Sequence, residues 1–393
     1  MNQPTQKEAS VKILAAIVYA QFAGTSLWFA GNAILPALQE TYQFSNDSLG
    51  HVASAVQLGF IVGTLVFAIF SLADRFSPNR VFFFSAMAGA LFNAAILLVE
   101  FSISQLILFR FFTGFFLAGI YPVGMKIAAD WYEKGLGKAL GFLVGALVLG
   151  TAFPHLLNSL QTVFSWEQVL LFVSAFALSG GLLMLLMPTG PYRRKAAKFK
   201  MSAIADVFKV KPLLKSATGY FGHMWELYAF WAFVPWFLNF YASQNQVNIN
   251  VSAWSFAIIA IGSLSCVFGG LLSLKRGSYF VAKSNLTLSG IACLFSPLLF
   301  WLPFPLVILY LLFWGATVIP DSPQFSSMVA ASAPKEIIGT ALTIVNCTGF
   351  TVSVFSIQLL NWTSGIVGFE PFIFLLLLPG PIAGLRGIRG YVR

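Results

Sequence analysis

The chain has 393 residues, 58% of them hydrophobic and 9% charged, with a mean hydropathy of +0.82. A soluble domain carries about 25% charged residues, so an ordinary water-soluble protein is excluded. The net charge of +10 does not imply a nucleic-acid partner. Of the 23 Lys and Arg residues, all but Arg110 gather at every second loop and at both chain ends, where they set membrane orientation and meet anionic headgroups.

A membrane-crossing helix needs roughly 20 apolar residues. Twelve such runs follow one another with short connections. Span 1 is predicted over residues 11–38, span 2 over 49–72, span 3 over 81–99 and span 4 over 104–128. Spans 5 and 6 fall at 137–160 and 167–188. The first run is long enough to be retained as a span and lacks the short apolar region and cleavage site of a leader. A polar segment, 188–212, then interrupts the pattern with seven basic residues against the single acid Asp206. Spans 7 to 12 follow at 213–241, 250–274, 279–300, 304–330, 337–360 and 369–386. The expected division is a six-helix bundle over 1–188, a basic linker over 189–212 and a second bundle over 213–393. Within the linker, residues 201–210 have the pattern of an amphipathic surface helix.

The loops on the other side carry only acids: Glu40, Asp47, Glu100, Glu167 and Glu370. Basic residues near span ends stay in the cytoplasm. Both termini and the linker are therefore expected to be cytoplasmic, in a bacterial inner membrane. Cys266, Cys293 and Cys347 fall within spans without metal-ligand spacing and read as buried free thiols.

The two halves show an internal repeat. Span 2 ends in Ser71-Leu-Ala-Asp74-Arg75-Phe-Ser-Pro-Asn-Arg80, and span 8 ends in Gly270-Leu-Leu-Ser-Leu-Lys275-Arg276-Gly277-Ser278. Repeated helical halves are a mark of secondary transporters. These segments resemble the loop between helices 2 and 3 of the major facilitator superfamily, G-x-x-x-D-R-x-G-x-R-R, and its second-half copy. Asp74, Arg75 and Arg80 match that loop, while Phe70, Ser77 and Asn79 depart from it. Arg110-Phe-Phe-Thr-Gly114 matches the family's helix-4 pattern R-x-x-x-G, with Gly119 beyond. The resemblance implies an all-α integral membrane protein of twelve helices in two pseudo-symmetric six-helix bundles. It also implies that spans 1, 4, 7 and 10 line a central cavity, and that Asp74 with Arg75 and Arg80 forms a gate that latches the outward-facing state. The Gly-Pro pair of the drug-antiporter signature is absent from span 5, where Gly150 and Pro154 are separated.

Few ionisable groups lie deep in the spans: Arg110, Lys126, His155, His223, Glu226 and Asp321. Intramembrane charges are expensive and mark function by default. Glu226 and Asp321 are the candidates for proton coupling, since a carboxyl in a low-dielectric cavity can load and release a proton near neutral pH. His223 lies one turn before Glu226 and could tune it or carry the proton itself. Arg110 is the candidate for binding an anionic substrate, because a guanidinium forks onto carboxylate or phosphate. The competing reading has Arg110 bonded to carbonyls of span 1 or 5. Gln21, Trp28 and Asn32 share a face of span 1, and together with Tyr228 and Asn346 they are candidate substrate contacts. Lys126 reads as an inner-end anchor.

These observations predict a monomeric secondary transporter that moves a small organic solute by alternating access, coupled to protons. The lean is to import of an organic anion such as a carboxylate or carboxylate siderophore. An exporter of drugs or metabolites is the alternative in the same class, and a non-transporting sensor on the same fold is the alternative outside it. No enzyme, metal or cofactor is expected: no nucleotide-binding G-x-x-x-x-G-K-[ST] loop occurs, and no metal or nucleophile cluster is placed in a span.

Overall fold

The computed structural model describes residues 6–45, 47–98, 102–132, 136–160, 163–193, 209–334 and 337–391. The protein is an all-α, multi-pass membrane protein of twelve transmembrane helices in two pseudo-symmetric bundles of six. Among the described residues, nine helical stretches are long and apolar enough to cross a membrane by themselves. The other three are spans 3, 7 and 12. Span 3 is Pro78–Ala95 closed by a 3-10 turn, Ile96–Leu98. Span 7 is one helix of 35 residues, Lys211–Asn245, whose Tyr, Trp, His and Glu residues dilute its apolar content. Span 12 is a 3-10 segment, Glu370–Leu377, followed by the helix Pro379–Gly387. The expected surface helix at 201–210 lies almost wholly outside the described residues, as do Glu100 and most of the basic linker.

Three spans are broken near mid-membrane. Span 1 divides into Gln6–Thr25 and Ala30–Tyr42. Span 4 divides into Ile103–Leu117 and Tyr121–Trp131, and span 10 into Phe304–Thr317 and Ser322–Ser332. In the sequence reading each of these is a single uninterrupted run. The breaks follow from local chemistry: Ser26 and Thr25 turn their hydroxyls back onto the carbonyls of Ala23 and Gln21, and Pro122 and Pro323 sit in the first turn of the resumed helices. Helix ends at membrane depth are tolerated only where protein or a cavity satisfies the freed backbone.

The halves repeat each other in detail. Span 2 packs on span 4 as span 8 packs on span 10, and span 1 packs on spans 5 and 6 as span 7 packs on spans 11 and 12. Glycine permits the first of these contacts in both halves. A Cβ on Gly114 would lie 2.1 Å from the Val56 carbonyl oxygen, and one on Gly315 would lie 2.0 Å from that of Ile258. Span 1 ends in left-handed Gln43 and span 7 in left-handed Gln246. The halves meet where span 2 packs on span 11 and span 5 on span 8.

Candidate functional site

The ends of the molecule differ in chemistry and in closure. At the end carrying Glu40, Asp47, Glu167 and Glu370, six hydrogen bonds among the described residues join the halves. Gln358 Nε2 donates to Ser54 Oγ at 2.7 Å and to the Gly50 carbonyl at 3.0 Å. Asn361 Oδ1 accepts from the Gly50 amide and its Nδ2 donates to the Asp47 carbonyl, both at 3.0 Å. Asn158 Nδ2 donates to Ser252 Oγ at 2.8 Å, and Asn250 Nδ2 donates to the Ser159 carbonyl at 2.9 Å. At about 0.5–1.5 kcal/mol net for each bond, this seal is comparable with the roughly 5.5 kcal/mol that carries a two-state equilibrium from one extreme to the other.

Toward the opposite, basic end the halves part around a cavity of about 460 Å³. Span 4 lines it with Tyr121, Met125 and Lys126, span 7 with Tyr220, and span 8 with Ser273. Span 10 contributes Ser322, Gln324, Ser326 and Ser327, and span 11 contributes Asn346. Among the described residues, Lys126 is the only charged side chain in this lining. Tyr220 donates its hydroxyl to Asn346 Oδ1 at 2.7 Å. A second cavity of about 370 Å³ lies beside it between Asp74, Lys126, Gly339 and Thr340.

An aromatic layer lies between the halves on the sealed side of the large cavity. Trp28 stacks on Tyr228 at 5.5 Å and on Phe350 at 5.6 Å, and Phe60 packs against Trp28 at 4.9 Å and Phe350 at 4.6 Å. These rings come from spans 1, 2, 7 and 11, so the layer crosses the interface between the halves. The Trp28 ring is held there because the break in span 1 ends directly behind it.

Arg110 supports that break. It is fully buried, and Nη2 donates to the carbonyls of Leu27 and Trp28, each at 2.7 Å, while Nη1 donates to Asn93 Oδ1 at 2.9 Å. Asn93 is anchored in turn on Ser174 Oγ at 3.0 Å. A Cβ on Gly31 would lie 2.8 Å from the Arg110 Cδ and Nε atoms. The guanidinium thus satisfies carbonyls released by the broken helix, and it lines neither cavity.

The candidate proton groups separate into two clusters. His223 Nδ1 lies 2.9 Å from Asp321 Oδ1, both fully buried. Asp321 ends the break in span 10, next to the cavity residues Ser322 and Gln324. Glu226 faces the interior of the second half instead. Its Oε1 accepts from Trp314 Nε1 at 2.6 Å and from Cys293 Sγ at 3.4 Å, and its Oε2 accepts from Ser289 Oγ at 2.8 Å. One helical turn of span 7 therefore sends its histidine and its glutamate to different partners.

Asp74 pairs with Lys126 at 3.1 Å, within its own half, and Lys126 also lies 3.9 Å from Asp130. Arg75 and Arg80 are exposed at the same end. Of the predicted substrate contacts, Asn346 lines the cavity, while Trp28 and Tyr228 lie outside its lining and stack on one another in the aromatic layer. Gln21 and Asn32 are buried on span 1. Tyr121 went unnoticed in the sequence. The only signal for it is its place beside Pro122, two residues after Gly119 of the small-residue pair Ala118-Gly119 that marks the break.

The sequence matches the Major Facilitator Superfamily over residues 17–357. It is similar to YceJ of Bacillus subtilis (strain 168), described as an uncharacterized MFS-type transporter: 24% identical over 371 residues, covering 88% of this chain and 90% of that protein. It is also similar to GarP of Escherichia coli (strain K12), described as a probable galactarate/D-glucarate transporter: 26% identical over 301 residues, covering 67% of this chain and 66% of that protein. Among solved structures, the proton:xylose symporter XylE bound to 6-bromo-6-deoxy-D-glucose shares the fold. The TM-score is 0.75 at 14% identity, covering 98% of this chain and 96% of that one. The inward open conformation of XylE from E. coli gives a TM-score of 0.73 at 14% identity, covering 97% and 96%.

Proposed function

The chain belongs to the Major Facilitator Superfamily, a family of membrane transporters, and on that premise we propose that it is a proton-coupled carrier of a small hydroxylated organic anion. The single observation that carries the reading is the cavity between the halves, whose apolar wall of Met125, Leu140, Val144 and Leu342 is interrupted by hydroxyl and amide groups and one lysine, and which is sealed at the opposite end. By the distribution of Lys and Arg, the open basic end faces the cytoplasm of a bacterial inner membrane, as do both termini and the 189–212 linker that joins bundles 1–188 and 213–393. The conformation is then inward-facing. Arg110 is buried away from both cavities, so recognition of the anion falls to Lys126, which lines the cavity and turns to the anion from its pair with Asp74, with Asn346, Tyr220 and Gln324 meeting the hydroxyl groups. A relative described as a galactarate/D-glucarate transporter is consistent with this substrate class.

The coupling site in this reading is the Asp321–His223 pair. It adjoins the cavity, where substrate and proton can influence one another, whereas Glu226 is locked by three donors inside the second half. Import by symport follows if proton and substrate enter together from the outer side. D-glucarate uptake into proteoliposomes under an imposed pH gradient tests this. The wild type accumulates D-glucarate, Asp321→Asn loses accumulation but keeps counterflow, and Glu226→Gln keeps both. Accumulation by Asp321→Asn at the wild-type level overturns the assignment, and its loss in Glu226→Gln alone transfers the coupling role to Glu226.

A further inference from the structure

Between the aromatic layer and the seal lies a set of polar groups that the mechanism above does not use. Trp28 Nε1, Asn32 Nδ2, Gln57 Oε1, His155 Nε2 and Trp231 Nε1 are all buried and have no hydrogen-bond partner among the described residues. Their side chains belong to residues at most 4% exposed. They come from spans 1, 2, 5 and 7, two of which carry the interface between the halves.

Packing and register bring them to one level. Trp28 stacks on Tyr228, and Tyr228 meets Trp231 edge-on at 5.5 Å. Phe29 contacts both His155 and Trp231, each at 6.5 Å. Asn32 lies in the first turn of the helix Ala30–Tyr42, directly after the break that holds Trp28. Gln57 is three residues from Ser54, and His155 is three from Asn158, both of which are bonded across the seal. Three residues of helix span about 4.5 Å. The unpaired groups thus sit one turn below the seal and at or just above the aromatic rings.

Buried polar groups in native proteins are nearly always paired, and an exception calls for a reason. Five exceptions at one level, drawn from both halves, have a common one if a ligand pairs them. The chemistry is specific. Two indole N–H groups and a carboxamide NH2 donate, the Gln57 oxygen accepts, and a neutral imidazole does either through Nε2. None of the five side chains is a carboxylate, Lys or Arg. The indole faces offer flat apolar surface. This set suits a molecule whose hydroxyl groups both donate and accept and whose C–H face lies on a ring, not one recognised through its charge.

We propose that Trp28, Asn32, Gln57, His155 and Trp231 form a hydroxyl-recognising station on the sealed side of the aromatic layer, occupied by substrate when the acidic end opens and vacated into the lysine-bearing cavity when it closes. The station rests on the hydroxylated-anion reading above and adds a division of labour to it. The cavity at the basic end holds the carboxylate through Lys126, and the station reads the hydroxyls before the substrate reaches Asn346, Tyr220 and Gln324. Transfer between them passes Trp28, which belongs to the layer and also donates into the station. Because the acidic-end seal buries these groups unpaired, the station's groups are satisfied only with ligand present or with the seal open.

Equilibrium binding to purified protein, together with its melting temperature without ligand, tests the station. The probes are D-glucarate, adipate and D-glucitol. Adipate has the same six-carbon dicarboxylate chain without hydroxyls, and D-glucitol has the hydroxyls without the carboxylates. D-glucarate is expected to bind at least tenfold more tightly than adipate. Gln57→Leu and Trp231→Phe are expected to weaken D-glucarate about tenfold, and Gln57→Leu, which keeps the side-chain volume and removes the unpaired oxygen, to leave the ligand-free melting temperature unchanged or raised. A side chain with a purely structural role would lower that temperature instead. Equal affinity for adipate and D-glucarate overturns the station and leaves the anion reading standing, as does unaltered D-glucarate affinity in both variants. Binding of D-glucitol without D-glucarate sinks the anion reading and keeps the station. Binding of neither hydroxylated compound overturns both.

Discussion

Arg110 shows how one residue type can carry two opposite meanings in a sequence. A guanidinium inside a span is legible as costly and purposeful, and both an anion site and a bond to span-1 carbonyls fit that signal. The break at 26–29 offers the carbonyls that the second reading needs, and it was not legible, because the residues Thr25-Ser26-Leu27-Trp28-Phe29 contain neither Pro nor Gly to announce it. With three bonds to Leu27, Trp28 and Asn93, Arg110→Lys loses the planar fork. At about 1.5–3 kcal/mol per charged bond, loss of one or two of these bonds is expected to destabilise the protein by on the order of 3 kcal/mol. The check is thermal unfolding together with D-glucarate affinity: a lower melting temperature with affinity altered less than about threefold. An unchanged melting temperature with much weaker binding would return Arg110 to the substrate. The same limit applied to His223 and Glu226. Their spacing gave the shared turn correctly, but spacing along one helix does not reveal that Asp321 lies on one side and Trp314 with Ser289 on the other.

At the scale of elements, hydropathy gave the span positions to within a few residues, because an apolar run about 30 Å long has few other uses. It could not show that spans 1, 4 and 10 are each two helices, since the broken segments remain apolar. The cavity at the basic end follows from two of these breaks: Tyr121 opens the second piece of span 4, and Asp321 precedes the second piece of span 10. The loop after span 2 was legible through its acid and bases. In this conformation Asp74 rests on Lys126 of its own half, and the gap lined by Asp74, Gly339 and Thr340 separates it from the start of span 11. Closing that gap would bring the carboxylate to the N-terminus of the helix Ile338–Thr363, where a negative charge is favoured. Asp74→Asn is therefore expected to shift the population toward the form open at the basic end. Spin labels on the basic ends of the two halves report this as a loss of the short-distance population. An unchanged distribution would leave the turn without a gating role.

At the scale of the molecule, the two halves touch firmly at one end and part at the other. The repeat is deeper than the paired loops suggested: Gly114 against Val56 recurs as Gly315 against Ile258, and left-handed Gln43 recurs as Gln246. Two similar bundles that meet through spans 2 with 11 and 5 with 8 have two equivalent ways to rock, one closing each end. The seal of Ser54, Gly50 and Asp47 against Gln358 and Asn361 is then a temporary contact that must break in every transport cycle. Locking it tests this most directly. In a background with the three native cysteines replaced, a disulfide between Ser54→Cys and Gln358→Cys should abolish D-glucarate uptake into proteoliposomes, and reductant should restore it. Uptake by the cross-linked protein at the rate of its reduced form would contradict alternating access through this interface.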